Sequence, residues 1–154
     1  MNFTVVSRDD IESGLLIREP HVIISISNPG SRKPHVRETG LCKGVLRLRF
    51  HDAEPVVGFN LPGEVRIMTS RHAKAIWRFI LPRVTDISMV VVHCGQGMSR
   101  SPAVAAAICL GLGGLSEDST RFFEEFQPNQ YVYRLVLAEA PAGPRSGGKE
   151  GAPG

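Results

Sequence analysis

The chain has few of the features that would mark it as secreted, membrane-bound or metal-scaffolded. Its three cysteines, Cys42, Cys94 and Cys109, cannot all pair within one chain and none forms a CxxC arrangement, so neither a disulfide framework nor a zinc site is expected. No apolar stretch reaches the length of a membrane helix. The short apolar run at residues 3–6 is followed by Asp9 and Asp10, without the length and cationic start of a secretory signal. A formal charge of +3 favours anionic partners, but there is no basic run, so nucleic acid is not expected as a partner, nor is a membrane. There is no internal repeat. Free thiols suit a reducing cytoplasm, which is the expected compartment.

What the chain does have is enough apolar material for one ordinary core, 42% of 154 residues. One domain is expected over residues 1–140. From 141 to 154 the composition collapses to Pro, Gly, Ala, Ser and a few charges, which describes a disordered tail dispensable for chemistry. Apolar and β-branched runs at residues 3–6, 21–26, 45–50 and 89–93 read as strands, and the segments between several of them carry helical signals. That alternation indicates an α/β fold. Ser7 and Asp10 have the spacing of a capping box that opens a helix through Leu16. Ala73, Ile76, Trp77 and Ile80 share one helical face, while residues 103–110 are apolar all round, as in a helix buried against a sheet. Two shorter helices follow: Ser116 can cap the first, with Phe122, Phe123 and Phe126 facing inward. Pro128 and Asn129 open the second, whose inward stripe is read as Tyr131, Leu135 and Val136.

The segment His93-Cys94-Gly95-Gln96-Gly97-Met98-Ser99-Arg100-Ser101 lies between the strongest strand and the most apolar helix, so it is a strand-to-helix turn. Unpaired amides and the positive end of the helix dipole make such a turn a site for a tetrahedral anion. Gly95 and Gly97 allow a tight curl without side chains in the way of the ligand. The same field favours a thiolate at Cys94, the form that acts as a nucleophile. Arg100 supplies a planar fork for two phosphate oxygens, which a lysine cannot match. Ser101 can donate a hydrogen bond to the sulfur. The competing account is a buried structural cysteine beside a capping serine and a solvated arginine. A cysteine and an arginine six positions apart mean little alone; His93, Gly97, Ser101 and the strand–helix context make the pattern specific.

His93-Cys94-x-x-Gly97-x-x-Arg100-Ser101 resembles the signature of the protein-tyrosine phosphatases. Arg100-Ser101-Pro102 with the Ala/Val-rich stretch after it looks like the dual-specificity branch. The resemblance covers about residues 20–138 in the order of its elements. It implies a central, mostly parallel sheet flanked by helices and hydrolysis of phosphate monoesters through a phosphocysteine intermediate, without metal or other cofactor. It also implies a general acid on a loop upstream of the cysteine. Asp52 stands in that place in strand order. Its separation from Cys94 is longer than the family's customary gap, and the surplus is read as an inserted loop around residues 55–64. A turn-forming aspartate is the plain alternative for Asp52, and Glu54 and Asp86 are the other carboxylates to weigh.

His93 is read as a residue that orders the loop and influences the thiolate. Arg47 and Arg49 alternate with Leu46 and Leu48, the pattern of a strand with one solvated face. Cys42 and Cys109 are read as structural, with a disulfide to an oxidised Cys94 open to either if the fold brings it near. The uncharged Gly95, Gln96 and Met98 count against a phosphoinositide substrate, whose phosphatases usually place lysines in this loop. The expected substrate is a phosphorylated protein, phosphotyrosine with phosphoserine or phosphothreonine open, or a small phosphomonoester. Two competitors remain: a phosphate-binding module without turnover and a rhodanese-like sulfurtransferase.

Overall fold

In a computed structural model, residues 1–114 and 116–141 are described. The expected tail, apart from Pro141, and the Ser116 side chain read as a cap lie outside them.

Four strands, β1 (Asn2–Ser7), β2 (His21–Ser27), β3 (Cys42–Arg49) and β4 (Met89–Cys94), form one sheet in the order β1-β4-β2-β3, and every pairing is parallel. The two inner strands are the most apolar. Val90, Val91 and Val92 of β4 and all seven residues of β2 are buried, as strands covered on both faces must be. Because all strands run the same way, Ser7, Ser27, Arg49 and Cys94 finish along one edge of the sheet. Ligands of parallel sheets bind outside that carboxyl edge.

Side-chain alternation divides the core in two. Val22, Ile24, Ile26, Leu48, Phe50, Val90 and Val92 point to a face covered by α2 (Ser70–Ile80), α3 (Arg100–Gly111), α4 (Ser116–Glu125) and α5 (Gln130–Ala138). Ile23 and Val91 point the other way, onto Ile11, Ile17 and Val36. Ala73, Ile76, Trp77 and Ile80 form the buried face of α2, and the Trp77 indole donates to the Val136 carbonyl of α5 at 2.8 Å. A single 3-10 turn, Leu81–Arg83, follows α2. In α3 every residue from Arg100 to Cys109 is buried, so this helix begins at the sheet's carboxyl edge and runs through the middle of the molecule. No helix among the described residues is long and apolar enough to cross a membrane.

Two local expectations are corrected. The Ser7 and Asp10 capping box forms, but α1 covers only Arg8–Glu12 and does not reach Leu16. The Ser13 hydroxyl folds back onto the Asp10 carbonyl at 2.7 Å, and Gly14 turns the chain away with φ +84°, a conformation open to glycine. In α5 the fully buried positions are Val132 and Val136, while Tyr131 and Leu135 are half-buried. The expected stripe does pack on the core, with Val136 fully buried; what it lacked is Val132, and the Tyr131 hydroxyl donates to the Met68 carbonyl at 2.8 Å.

Candidate active site

The loop from Gly95 to Ser99 joins β4 to α3 at the carboxyl edge. Three of its carbonyls are turned outward: Gly95 O accepts from the Arg8 amide at 3.0 Å, Met98 O from Gln127 at 3.1 Å and Ser99 O from Asn129 at 3.0 Å. In a trans peptide the N–H points opposite to the C=O. The amides of Gln96, Ser99 and Arg100 therefore point away from those donors. Gly97 is needed for packing as much as for curvature: its φ is +74°, and a Cβ there would lie 2.8 Å from the Val6 carbonyl oxygen. Gly95 has no such φ, and a Cβ on it would face Arg100 Nη2 at 3.6 Å.

Cys94 is buried at the end of β4, with Sγ 3.2 Å from the Ser101 hydroxyl on the first turn of α3. A thiolate can only accept, so in that form Ser101 is the donor. Arg100 is 7% exposed, and its Nη1 donates to Asn28 Oδ1 at 2.8 Å and to the Phe50 carbonyl at 2.7 Å. Its Nε is buried without any partner among the described residues. One edge of the guanidinium is thus clamped by the ends of β2 and β3. The other edge, Nε with Nη2, faces the loop with its donors unspent, and an orphaned buried donor of this kind is costly until a ligand satisfies it.

Asp52 lines the same cleft of about 450 Å³ as Asn28, Gly95, Gln96, Met98, Ser99 and Arg100. Its Oδ1 accepts from the Ser99 hydroxyl at 2.8 Å and from Asn129 Nδ2 at 2.9 Å, and its Oδ2 has no protein partner among the described residues. The long segment after it does not displace it. The His51 amide donates to the Arg66 carbonyl at 2.7 Å and the Arg66 amide to His51 Nδ1 at 2.9 Å, so the excursion is pinned at its base. Glu54 is exposed and outside the cleft lining. Asp86 precedes β4 and so lies at the opposite edge of the sheet, roughly 16 Å of strand away from Cys94.

His93 is fully buried, with Nε2 2.7 Å from the Ser25 hydroxyl and Nδ1 3.5 Å from the Cys94 carbonyl. A carbonyl only accepts, which assigns the neutral ring's proton to Nδ1, and Nε2 accepts a hydrogen bond from the Ser25 hydroxyl. Burial depresses the imidazole to about 4, and the Cys94 carbonyl opposes this only in part. The ring is neutral at pH 7 and ties β2 to the peptide that carries the sulfur. Cys42 is level with His21, and His21 with Met89, so Cys42 lies at the far edge of the sheet from Cys94. Cys109 is nine residues along α3 from its start, roughly 13 Å. All three cysteines are free, and burial raises the thiols of Cys42 and Cys109.

Sequence reasoning passed over three contributors. Asn28 and the Phe50 carbonyl orient Arg100 across 72 and 50 positions of chain, and nothing local marks them. Asn129 was visible as a cap, and its Oδ1 does accept from the Val132 amide at 3.0 Å, but its Nδ2 also holds Asp52.

No protein-family model matches the chain, and no curated protein matches it in sequence. Solved structures do. The crystal structure of human DUSP28 aligns with a TM-score of 0.58 over 90% of each chain at 15% identity. That of the human tyrosine phosphatase-like serine/threonine/tyrosine-interacting protein aligns with a TM-score of 0.49 at 21% identity, over 77% of this chain and 74% of that one. Tk-PTP in its active form gives 0.47 at 15% identity, over 90% and 89%. This chain, with its four-stranded parallel sheet flanked by helices, thus shares an overall fold with the DUSP28 structure.

Proposed function

We propose that this chain is a cysteine-dependent phosphomonoesterase of the protein-tyrosine or dual-specificity type. The observation that carries the reading is the state of Arg100. One edge of a buried guanidinium is fixed by Asn28 and Phe50, and the other is unsatisfied at the mouth of a loop whose carbonyls point away. A phosphate dianion supplies the acceptors that this edge and the loop amides lack. Thiosulfate is a tetrahedral dianion too, so the fork alone does not separate a sulfurtransferase; the DUSP28-like fold supports the phosphatase reading.

Arg100 and the amides of Gln96, Ser99 and Arg100 hold the equatorial oxygens, and their charge complements the transition state. Cys94 Sγ attacks phosphorus in line, and the bond to the leaving oxygen breaks as Asp52 gives that oxygen a proton. The product is a phosphocysteine and an alcohol or phenol. Asp52, now ionised, takes a proton from water as its oxygen attacks the same phosphorus, and the sulfur leaves as a thiolate. Ser101, 3.2 Å away, donates to it at that moment. Ser99 and Asn129, the N-caps of α3 and α5, both donate to the Asp52 carboxyl, which supports its reading as the acid.

The substrate class is a phosphorylated protein side chain, with phosphotyrosine as the first test. Purified protein should hydrolyse an aryl phosphate in the presence of a chelator, be inhibited by vanadate, and give no thiocyanate from thiosulfate and cyanide. Thiocyanate formation without phosphatase activity would replace the reading with sulfur transfer. Vanadate binding without turnover of any phosphomonoester would make the chain a binding module.

A further inference from the structure

The ion pairs among the described residues both converge on Glu12, the last residue of α1. Its two oxygens grip Arg32 in parallel, Oε2 with Nη1 at 2.9 Å and Oε1 with Nη2 at 3.1 Å, the bidentate arrangement that suits a guanidinium and a carboxylate. Oε2 also accepts from the His35 amide at 3.1 Å, and Oε1 lies 3.4 Å from Arg8 Nε. Arg8 Nη2 completes the junction by donating to the Arg32 carbonyl at 2.7 Å. An isolated surface ion pair contributes little, whereas one carboxylate shared by Arg8, Arg32 and His35 fixes two distant segments of chain relative to each other.

Both ends of this junction reach the phosphate loop. On the α1 side, the Arg8 amide donates to the Gly95 carbonyl at 3.0 Å. On the other side, Arg32 directly follows a turn closed on Asn28, whose main-chain oxygen accepts from the Ser31 amide at 3.1 Å and the Ser31 hydroxyl at 2.8 Å. The side chain of Asn28 then holds Arg100 Nη1 at 2.8 Å. Contacts therefore run in a ring from Gly95 through Arg8, Glu12, Arg32 and Asn28 to Arg100, which closes the loop that Gly95 opens. Arg47 and Arg49, expected as the solvated face of β3, tie the same segment to the sheet: Arg47 Nη1 donates to Pro34 O at 3.0 Å, and Arg49 Nη1 to Asn28 O at 3.2 Å and Ser31 O at 2.9 Å. Glu12 and Arg8 supply its polar ties to α1.

We propose that Glu12 is a positioning residue for the phosphate site: by holding Arg32 and the His35 amide it sets where Asn28 stands, and so where the free edge of Arg100 points. This rests on the phosphatase reading. Glu12→Gln distinguishes the role by the sign of its effect. The amide keeps the size of the side chain but offers one acceptor oxygen instead of two, and its nitrogen faces donors, so Arg32 or the His35 amide loses its partner. The substitution also makes the formal net charge of +3 more positive by one, which by itself favours an anion. Charge alone therefore tightens anion binding, and lost positioning weakens it.

The test measures vanadate affinity by calorimetry on the full chain, unaltered and carrying Glu12→Gln, Asn28→Ala or both, with urea unfolding of each and aryl phosphate turnover by the unaltered chain and Glu12→Gln. Glu12→Gln should weaken vanadate binding by on the order of fivefold and lower kcat/KM to a similar degree, with an unfolding midpoint close to that of the unaltered chain. Asn28→Ala should weaken binding by on the order of tenfold, and adding Glu12→Gln to it should cost less than about twofold more, because the effect travels through Asn28. Glu19→Gln removes the same charge at the opposite edge of the sheet, where Glu19 accepts from the Ser88 hydroxyl at 2.7 Å, and should not weaken vanadate. Unchanged or tighter vanadate binding by Glu12→Gln, or full additivity with Asn28→Ala, would overturn the proposal. A loss explained by unfolded chain would make Glu12 merely structural and overturn it as well. Aryl phosphate turnover with vanadate binding insensitive to Glu12→Gln would overturn the positioning role alone. The expected vanadate pattern in a chain that leaves aryl phosphate untouched would support that role while overturning the phosphatase reading.

Discussion

A single methyl group separates the two glycines of the loop. At Gly97 a Cβ would lie 2.8 Å from Val6 O, 2.9 Å from Val6 C and 3.1 Å from Ser7 N, all main-chain atoms of β1 that no rotamer change can move. The φ of +74° adds a conformational penalty of about 1–2 kcal/mol for any L side chain. Shifting backbone to relieve the overlap costs about 1–3 kcal/mol more. Against this, alanine makes the unfolded chain stiffer, a gain of about 0.4–1 kcal/mol. Gly97→Ala is therefore expected to lose about 1–5 kcal/mol, a large part of the roughly 5–15 kcal/mol that holds a domain together. Gly95→Ala meets only Arg100 Nη2 at 3.6 Å, an ordinary contact, so its stability should change by less than about 1 kcal/mol. Its methyl group sits beside the free edge of the arginine and should weaken vanadate binding. Urea unfolding and vanadate titration of the two variants separate these effects. Equal unfolding midpoints for Gly97→Ala and the unaltered chain, or a greater stability loss for Gly95→Ala, would refute the described packing of the loop on β1.

Asp52→Asn should lower kcat by about 10²- to 10⁴-fold on an alkyl phosphate and by less on an aryl phosphate, whose leaving group needs little protonation; equal losses on both would point to damage to the Ser99 and Asn129 contacts instead. Arg100→Lys should lose most of kcat/KM for an aryl phosphate, because an ammonium cannot present two parallel donors, and near-normal turnover would make Arg100 merely structural. Stability should fall with acid in a window set by His93: its pKa is 6.5 when free and about 4 when folded, so the unfolded chain gains the proton first. The stabilisation is complete above about pH 6.5 and is lost toward pH 4, by about 3 kcal/mol, as measured by urea unfolding; a flat profile down to pH 4.5 would contradict the buried neutral ring. Glu12, held near 2 first by its hydrogen bond to Arg32, titrates only below its free value of 4.5, so the two effects separate in pH.

The strands and the loop were legible because each is written in consecutive residues. Runs of β-branched residues gave β1 to β4 to within a few positions, and the all-apolar stretch after Arg100 signalled a helix buried on every side. Local chemistry also misled in places. The capping box at Ser7 is real, yet the Ser13 back-bond and Gly14 end α1 after five residues, and the expected inward stripe of α5 contained Val136 but not Val132. What could not be read was anything made by distant segments. The clamp on Arg100 by Asn28 and Phe50, the Ser25 partner of His93, and the pinning of the long excursion at His51 and Arg66 all depend on how the parallel strands register. The same register carries Asp86 to the far edge of the sheet and leaves Asp52 at the cleft.

The central claim is that Cys94 accepts the phosphoryl group, and trapping the intermediate tests it most directly. Asp52→Asn slows the attack of water more than the first transfer from a good leaving group. That variant, quenched in acid during turnover of an aryl phosphate and examined by peptide mass spectrometry, should carry one phosphoryl group on Cys94, and none should form when Cys94→Ser is added. Turnover with no phosphoryl group on Cys94, or a phosphoryl group found on another residue, would contradict the account.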